Sequence, residues 1–195
     1  MIKRLFDIVV SLCGIVILSP FLLIISILIS IDSRGGIFYK QVRVGKDMKD
    51  FYLFKFRTMY SDSDKKGLLT VGMRDSRITK VGYYLRKYKL DELPQLFNVL
   101  QGTMSFVGPR PEVPKYVALY NDEQKKVLSV KPGITDYASI EYANENAILA
   151  KAGNPEELYI KEIMPAKLAL NKRYIQEMGI RTDLKIIAKT ILKLI

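Results

Sequence analysis

The sequence predicts an α+β chain, mainly helical, and three observations carry that reading. Residues Ile8 to Ile31, IVVSLCGIVILSPFLLIISILISI, run without a charge and would make about 36 Å of helix at ~1.5 Å per residue. Next, GGIFYKQVRVG and FYLFKFRTM, rich in β-branched and aromatic residues, flank the polar KDMKD, the pattern of a β-hairpin. Helical periodicity then occupies 78–101, 112–129 and 154–178, so helix outweighs strand.

The apolar run has the length of a membrane segment, and no small-x-small cleavage site follows it as in a secretory signal. Ser19 and Pro20 stand at its midpoint. Proline removes a backbone donor and crowds the preceding turn, which divides the run into arms of about 18 Å, each half of a ~30 Å hydrocarbon core. Both flanks are net basic within a chain of net charge +11, so both ends prefer the cytoplasmic side. We therefore read residues 1–34 as a re-entrant helix-break-helix, broken at Ser19 and Pro20 and anchored by Lys3 and Arg4. Residues 35–195, which lack Ser-rich or Gly-rich linkers and repeats, read as one membrane-associated cytoplasmic domain. A Pro-kinked spanning helix is the alternative.

The pattern over 154–178 opens with Asn154-Pro155-Glu156-Glu157: an N-cap, a proline in the first turn and two acids. The last stretch, DLKIIAKTILKLI, sets Leu184, Ile187, Ala188, Ile191, Leu194 and Ile195 on one face and Lys185, Lys189 and Lys193 on another. It reads as an interfacial helix with Lys185 and Lys189 as membrane anchors, or as a helix closing the core.

Composition narrows the chemistry. The 195 residues include no His and one Cys, Cys13, inside the apolar run. Imidazole catalysis, His-ligated zinc and an intramolecular disulfide are excluded. What remains is carboxylates, hydroxyls, Lys, Arg or a metal held by oxygen. The net charge suits an anionic partner.

RKYKLDELPQ places Asp91 and Glu92 just ahead of Pro94. Two acids there suit a helix N-terminus, or they carry chemistry. Adjacent helical positions diverge by about 100°, so the two carboxylates would do different jobs. A proline at 94 would also free the Leu90 carbonyl and add a bend. Candidate partners are cations. Lys55 and Arg57, two apart on a strand, could grip one phosphate together or decorate a solvated edge. Arg110 is held between Pro109 and Pro111, and Arg86 lies five residues before Asp91.

Lys3-Arg4 before an apolar run broken at Ser19-Pro20, then Lys55-Phe56-Arg57-Thr58-Met59, Leu90-Asp91-Glu92-Leu93-Pro94-Gln95 and Gly108-Pro109-Arg110-Pro111, resembles the bacterial sugar transferase family, the monotopic phosphoglycosyl transferases. The likeness covers nearly the whole chain in order and has the length of the minimal catalytic form. It implies transfer of a sugar 1-phosphate from a UDP-sugar to polyprenyl phosphate, release of UMP, use of Mg²⁺ and the re-entrant topology. It also implies a place on the cytoplasmic face of the bacterial inner membrane. Carried over, Asp91 becomes the nucleophile and Glu92, with Asp91, a Mg²⁺ ligand, while Lys55, Arg57, Arg86 and Arg110 hold phosphates. After Lys131-Pro132-Gly133-Ile134-Thr135, many members have Gly-x-Ala-Gln where this chain has Asp136-Tyr137-Ala138-Ser139, which leaves the sugar open. A non-catalytic membrane adaptor binding anionic lipids would explain the charge and the apolar run but not the acid pair. Nucleic acid is not expected as a partner, since no common binding motif is present. The oligomeric state, a homodimer included, is left open.

Overall fold

The computed structural model describes residues 2–61, 63 and 75–194. Its first element, α1 (Ile2–Asp32), is a single helix of 31 residues, about 46 Å long at ~1.5 Å per residue. The break expected at Ser19-Pro20 is not an interruption. Pro20 lacks the N–H that would reach the Val16 carbonyl, and the Ser19 hydroxyl donates to that same carbonyl at 2.8 Å, replacing the lost bond. Both arms of α1 lie against the rest of the chain. Asp7 and Ser11 are buried on the first arm, Ile25 and Ile29 on the second, and Gly14 between them faces Leu96. The other faces expose Leu5, Val16, Ile17, Leu23 and Ile31, an apolar surface suited to lipid.

Lys3 and Arg4, expected at the membrane surface, turn inward. Lys3 Nζ donates to the Val107 carbonyl (2.9 Å), Tyr174 Oη (2.9 Å) and Asp183 Oδ2 (2.5 Å). Arg4 donates to the carbonyls of Val99 and Leu100 at 2.6 and 2.8 Å. Those carbonyls lie in the last turn of a helix, where the Gly102 amide reaches Val99 at 3.0 Å, and oxygens there have lone pairs left for a guanidinium close by. Asp7 accepts from Ser105 Oγ and the Phe106 amide nearby.

The hairpin forms as expected. Strands β1 (Phe38–Val44) and β2 (Asp50–Phe56) are antiparallel, with Phe38 opposite Phe56 and Val44 opposite Asp50. Asp47 and Met48, at φ 55° and 58°, turn the chain between them. The region expected as one helix over 78–101 is divided into α2 (Lys80–Lys87), a 3₁₀ turn at Leu90–Glu92 and α3 (Gln95–Gln101). Lys89 at φ 57° ends α2, and Pro94, which has no N–H to donate, separates the turn from α3. Asn98 of α3 then fastens the hairpin: its side chain accepts from the Phe54 amide (2.9 Å) and donates to the Tyr52 carbonyl (2.8 Å). Gly82 lets α2 lie directly on the chain beyond β2, since a Cβ there would stand 2.1 Å from the Thr58 carbonyl oxygen.

The stretch 112–129 is likewise broken, into α4 (Pro114–Val117), α5 (Asp122–Lys125) and a 3₁₀ turn, Lys126–Ser129. Two strands of three residues, β3 (Ser105–Val107) and β4 (Gly133–Thr135), pair in parallel. They are too short to show alternation, and their pairing is non-local. Short helices α6 (Tyr137–Glu141), α7 (Glu145–Leu149) and α8 (Pro155–Leu158) follow. A π turn at Tyr159–Ile163 joins α8 to α9 (Met164–Glu177), and Asn154 caps α8 as predicted, accepting from the Glu157 amide. The main core gathers Val44, Val113, Tyr116, Leu149, Tyr159 and Leu168. A second cluster joins Ile25 and Ile29 of α1 to Phe56 and Leu85.

The last helix, α10 (Ile180–Leu194), divides its faces differently from the expectation. Asp183, Ile186 and Thr190 turn to the core, Ile187 is partly packed there, and Leu184, Ile191 and Leu192 stay open. Lys185 and Lys189 are exposed. The Leu194 side chain and Ile195 lie outside the described residues.

Candidate active site

The 3₁₀ turn presents Asp91 and Glu92 in different directions. Neither caps α3, whose N-cap position, Pro94, receives no side-chain bond. The Leu90 carbonyl is not free either, because the Leu93 amide donates to it at 3.3 Å.

Glu92 is clamped. Oε1 accepts from Lys55 Nζ at 3.0 Å, and the Arg110 guanidinium spans both carboxylate oxygens, reaching Oε2 at 3.1 Å. Burial alone would push the Glu92 carboxyl upward, but Arg110 and Lys55 hold it well below the usual carboxylate range. Glu92 in turn raises the Arg110 guanidinium further, while burial lowers the Lys55 ammonium against the pull of Glu92.

Asp91 has the opposite condition. It is 8% exposed, and among the described residues its carboxylate makes no hydrogen bond and no ion pair. Burial raises its proton affinity above that of an ordinary aspartate, with Lys55 and Arg86 opposing and Glu92 adding to the rise. Arg86 also makes no hydrogen bond or ion pair among the described residues; burial lowers its guanidinium, and Asp91 is the first charge to oppose that.

Four of the cations and acids picked from sequence therefore converge with Asp91: Glu92, Lys55, Arg110 and Arg86. Arg57 does not. Its guanidinium is consumed by the turn after α1, donating to the Gly36, Arg34 and Ser33 carbonyls and to Ser33 Oγ at 2.5 to 2.9 Å. The strand ends at Phe56, so the two-residue alternation no longer holds Arg57 to the face of Lys55. Lys3, Arg4, Lys185, Lys189, Ser19 and Pro20 all lie on α1 or α10, as described above.

Other functional neighbours were missed. Arg43 sits on the same hairpin face as Lys55, because Tyr39 faces Lys55, Gln41 faces Leu53 and Arg43 faces Phe51. That alternation was readable. Arg43 pairs with Glu112 at 3.2 Å, and Glu112 also accepts from the Tyr159 hydroxyl. Asp136, fully buried, takes the Arg110 backbone N–H at 3.0 Å and the Ser139 amide at 2.6 Å. It thereby orients the arginine whose side chain clamps Glu92. Arg86 and Arg110 also border a cavity of about 180 Å³ whose other walls come from β1, α4, α7 and α9.

A model of the family described as bacterial sugar transferase matches residues 1–195. An undecaprenyl-phosphate glucose phosphotransferase of Komagataeibacter xylinus is 37% identical over 97% of this chain and 35% of its own length. A UDP-glucose:undecaprenyl-phosphate glucose-1-phosphate transferase of Klebsiella pneumoniae is 37% identical over 98% of this chain and 39% of its own. The exopolysaccharide production protein PSS of Rhizobium leguminosarum bv. phaseoli is 36% identical over 97% of this chain and 93% of its own. The chain thus spans little more than a third of the first two relatives.

Proposed function

Because the chain belongs to the bacterial sugar transferase family, we propose that it moves a sugar 1-phosphate from a UDP-sugar to undecaprenyl phosphate in two steps through Asp91. The products are undecaprenyl-diphosphate-sugar and UMP, the opening membrane step of a surface polysaccharide. The observation that carries this reading is the unequal treatment of two adjacent carboxylates: Glu92 bound by two cations, Asp91 buried and unpaired among the described residues. A carboxylate without partners keeps its lone pairs for attack.

In the first step an Asp91 oxygen bonds to the β-phosphorus. The bond from that phosphorus to the bridging oxygen breaks, and UMP leaves with the electron pair. In the second step a phosphate oxygen of the lipid bonds to the same phosphorus and displaces Asp91 as a carboxylate. Arg86, free of hydrogen bonds and ion pairs among the described residues, receives diphosphate oxygens, and Arg110 and Lys55 keep the surroundings cationic while Glu92 holds both in place. Two steps spare the site from holding both anionic substrates at once.

The residues fit Mg²⁺ brought in with the diphosphate. No group of three acidic or Cys side chains converges among the described residues, and Mg²⁺ is commonly held by one or two carboxylates together with substrate phosphates. Asp91 would hold it, with Glu92 joining only by releasing Lys55 or Arg110. Bound there, the ion would offset the charge of the diphosphate.

For topology, the support is that both arms of α1 rest on one domain. Lys3 bonds β3, α9 and α10, while Ile25 and Ile29 pack with Phe56 and Leu85. A straight span would carry one end away from that domain; on this reading α1 bends at Pro20, inside the continuous helix, and enters and leaves the bilayer on the cytoplasmic side. An N-terminal tag bearing a cysteine, in a Cys13→Ser background, should resist an impermeant periplasmic thiol reagent; labelling from outside rejects re-entry.

The test of the chemistry is incubation with UDP-sugars and no lipid. One of them should release one UMP per enzyme and add a sugar-phosphate mass to the peptide holding Asp91. No adduct, together with intersecting double-reciprocal lines in a two-substrate matrix, would leave Asp91 a metal ligand alone and not the nucleophile.

A further inference from the structure

We propose that the cavity beside the acid pair is the pocket that reads the donor sugar, with Asn171 and Asn146 determining specificity; this rests on the UDP-sugar reading above. The cavity holds about 180 Å³, below the ~300–1,000 Å³ of sites for drug-sized ligands and of the order of one sugar ring rather than a whole nucleotide sugar. It borders Arg86 and Arg110, the cations next to Asp91. The group bonded to the attacked phosphorus on the side away from UMP is the sugar, so the space continuous with those cations is where it must go.

The lining has the chemistry of a polyol site. Asn171, on α9, is only 5% exposed, and its Oδ1 has no hydrogen-bond partner. Buried amide oxygens are nearly always bonded, and an unbonded one on a residue that lines the cavity leaves an amide able to turn toward a hydroxyl or an acetamido group. Asn146, on α7 across the cavity, makes no side-chain hydrogen bond among the described residues. Between the same two helices, Lys167 and Glu145 form a 2.7 Å ion pair. Glu145 and Glu112 put two carboxylates in the lining. Each is paired with a cation of the same lining, Lys167 with Glu145 and Arg43 with Glu112, and their remaining oxygen lone pairs accept well from hydroxyls. The four residues where this chain departs from the family pattern, Asp136 to Ser139, do not line the cavity; Asp136 is spent on Arg110 and on the start of α6. Sugar choice is thus moved from that departure to α7 and α9.

The experiment uses the full chain in detergent with undecaprenyl phosphate and UDP-glucose, UDP-galactose, UDP-N-acetylglucosamine or UDP-N-acetylgalactosamine. The kcat/KM ratio between the best donor and the next is measured for wild type, Asn171→Ala and Asn146→Ala. Each variant should shift that ratio by about tenfold, the effect of one lost hydrogen bond. Inhibition by UMP, which has no sugar, should be unchanged. Because Asn171 is buried, the half-open Asn146 is the second variant, and the thermal shift produced by each donor reads discrimination without turnover. Variants that weaken all donors equally remove the pocket assignment. Weaker UMP inhibition with unchanged donor ratios assigns the cavity to the nucleotide instead. A wild type that uses none of the donors removes the UDP-sugar reading itself, and the pocket with it.

Discussion

Two buried charged clusters in this protein are built alike and finished differently. At the start of α1, Lys3 bonds Asp183, Tyr174 and a carbonyl, Tyr174 bonds Asp183, and Asp7 is bound by Ser105 and Phe106. Every charge has partners. Around the 3₁₀ turn, Glu92, Lys55 and Arg110 are equally well joined, yet Asp91 and Arg86 next to them make no hydrogen bond or ion pair among the described residues. A closed network ties elements together; a network with a buried carboxylate and a cation left open bears a cost that only a ligand or a reaction removes. The comparison teaches that burial of charge alone does not single out a candidate site; the proposed site is distinguished by its incompleteness.

The contrast is tested most strongly by Asp91→Asn, which should abolish UMP release while leaving the melting temperature equal to wild type or higher, because the ionised carboxylate is disfavoured by burial. Retained UMP release, or a large loss of stability, would place Asp91 in the closed class. Next, Arg110→Ala should lower kcat by about 10²–10³-fold, the size expected for a cation acting on charge in a partly desolvated site. A Lys3-like result, with stability lost and turnover per folded molecule kept, would reassign it to structure.

A pH profile sharpens the difference between the two acids. If Asp91 attacks as proposed it must be ionised, and burial raises its proton affinity, so kcat/KM should climb with pH along a limb lying above the usual aspartate value of about 4. Glu92 is depressed, so its contribution to stability exists above its unfolded value and is lost only as pH falls through its lower folded value. On acidification, activity should therefore vanish before the fold does. Coincident losses of rate and near-UV ellipticity would contradict the assignment.

Asp183→Asn should do the reverse of Asp91→Asn, costing about 1–3 kcal/mol of stability by stranding Lys3 and Tyr174, with little change in donor kcat/KM. The smallest effect is assigned to Lys185→Ala. This exposed residue of α10 should give up about 1 kcal/mol of attraction to anionic vesicles without altering turnover.

The apolar run, the hairpin, the cap at Asn154 and the acid pair with Lys55, Arg86 and Arg110 follow from sequence alone, because periodicity, capping chemistry and charge spacing are local and each residue carries its own signal. Local spacing could not tell that Lys3 and Arg4 bond the protein rather than lipid, or that Arg57 closes the turn after α1. Those choices were settled by distant acceptors, the Val99 and Leu100 carbonyls and Asp183, which no neighbouring residue reveals. Nor does the dipeptide Asp91-Glu92 say which acid is clamped. Only tertiary structure decided that, by bringing Arg110 across from the loop after β3 and Lys55 from β2 onto one carboxylate while the other was buried with no partner among the described residues. The physical reason is that Coulomb attraction and desolvation act through space, whereas sequence reports only order along the chain.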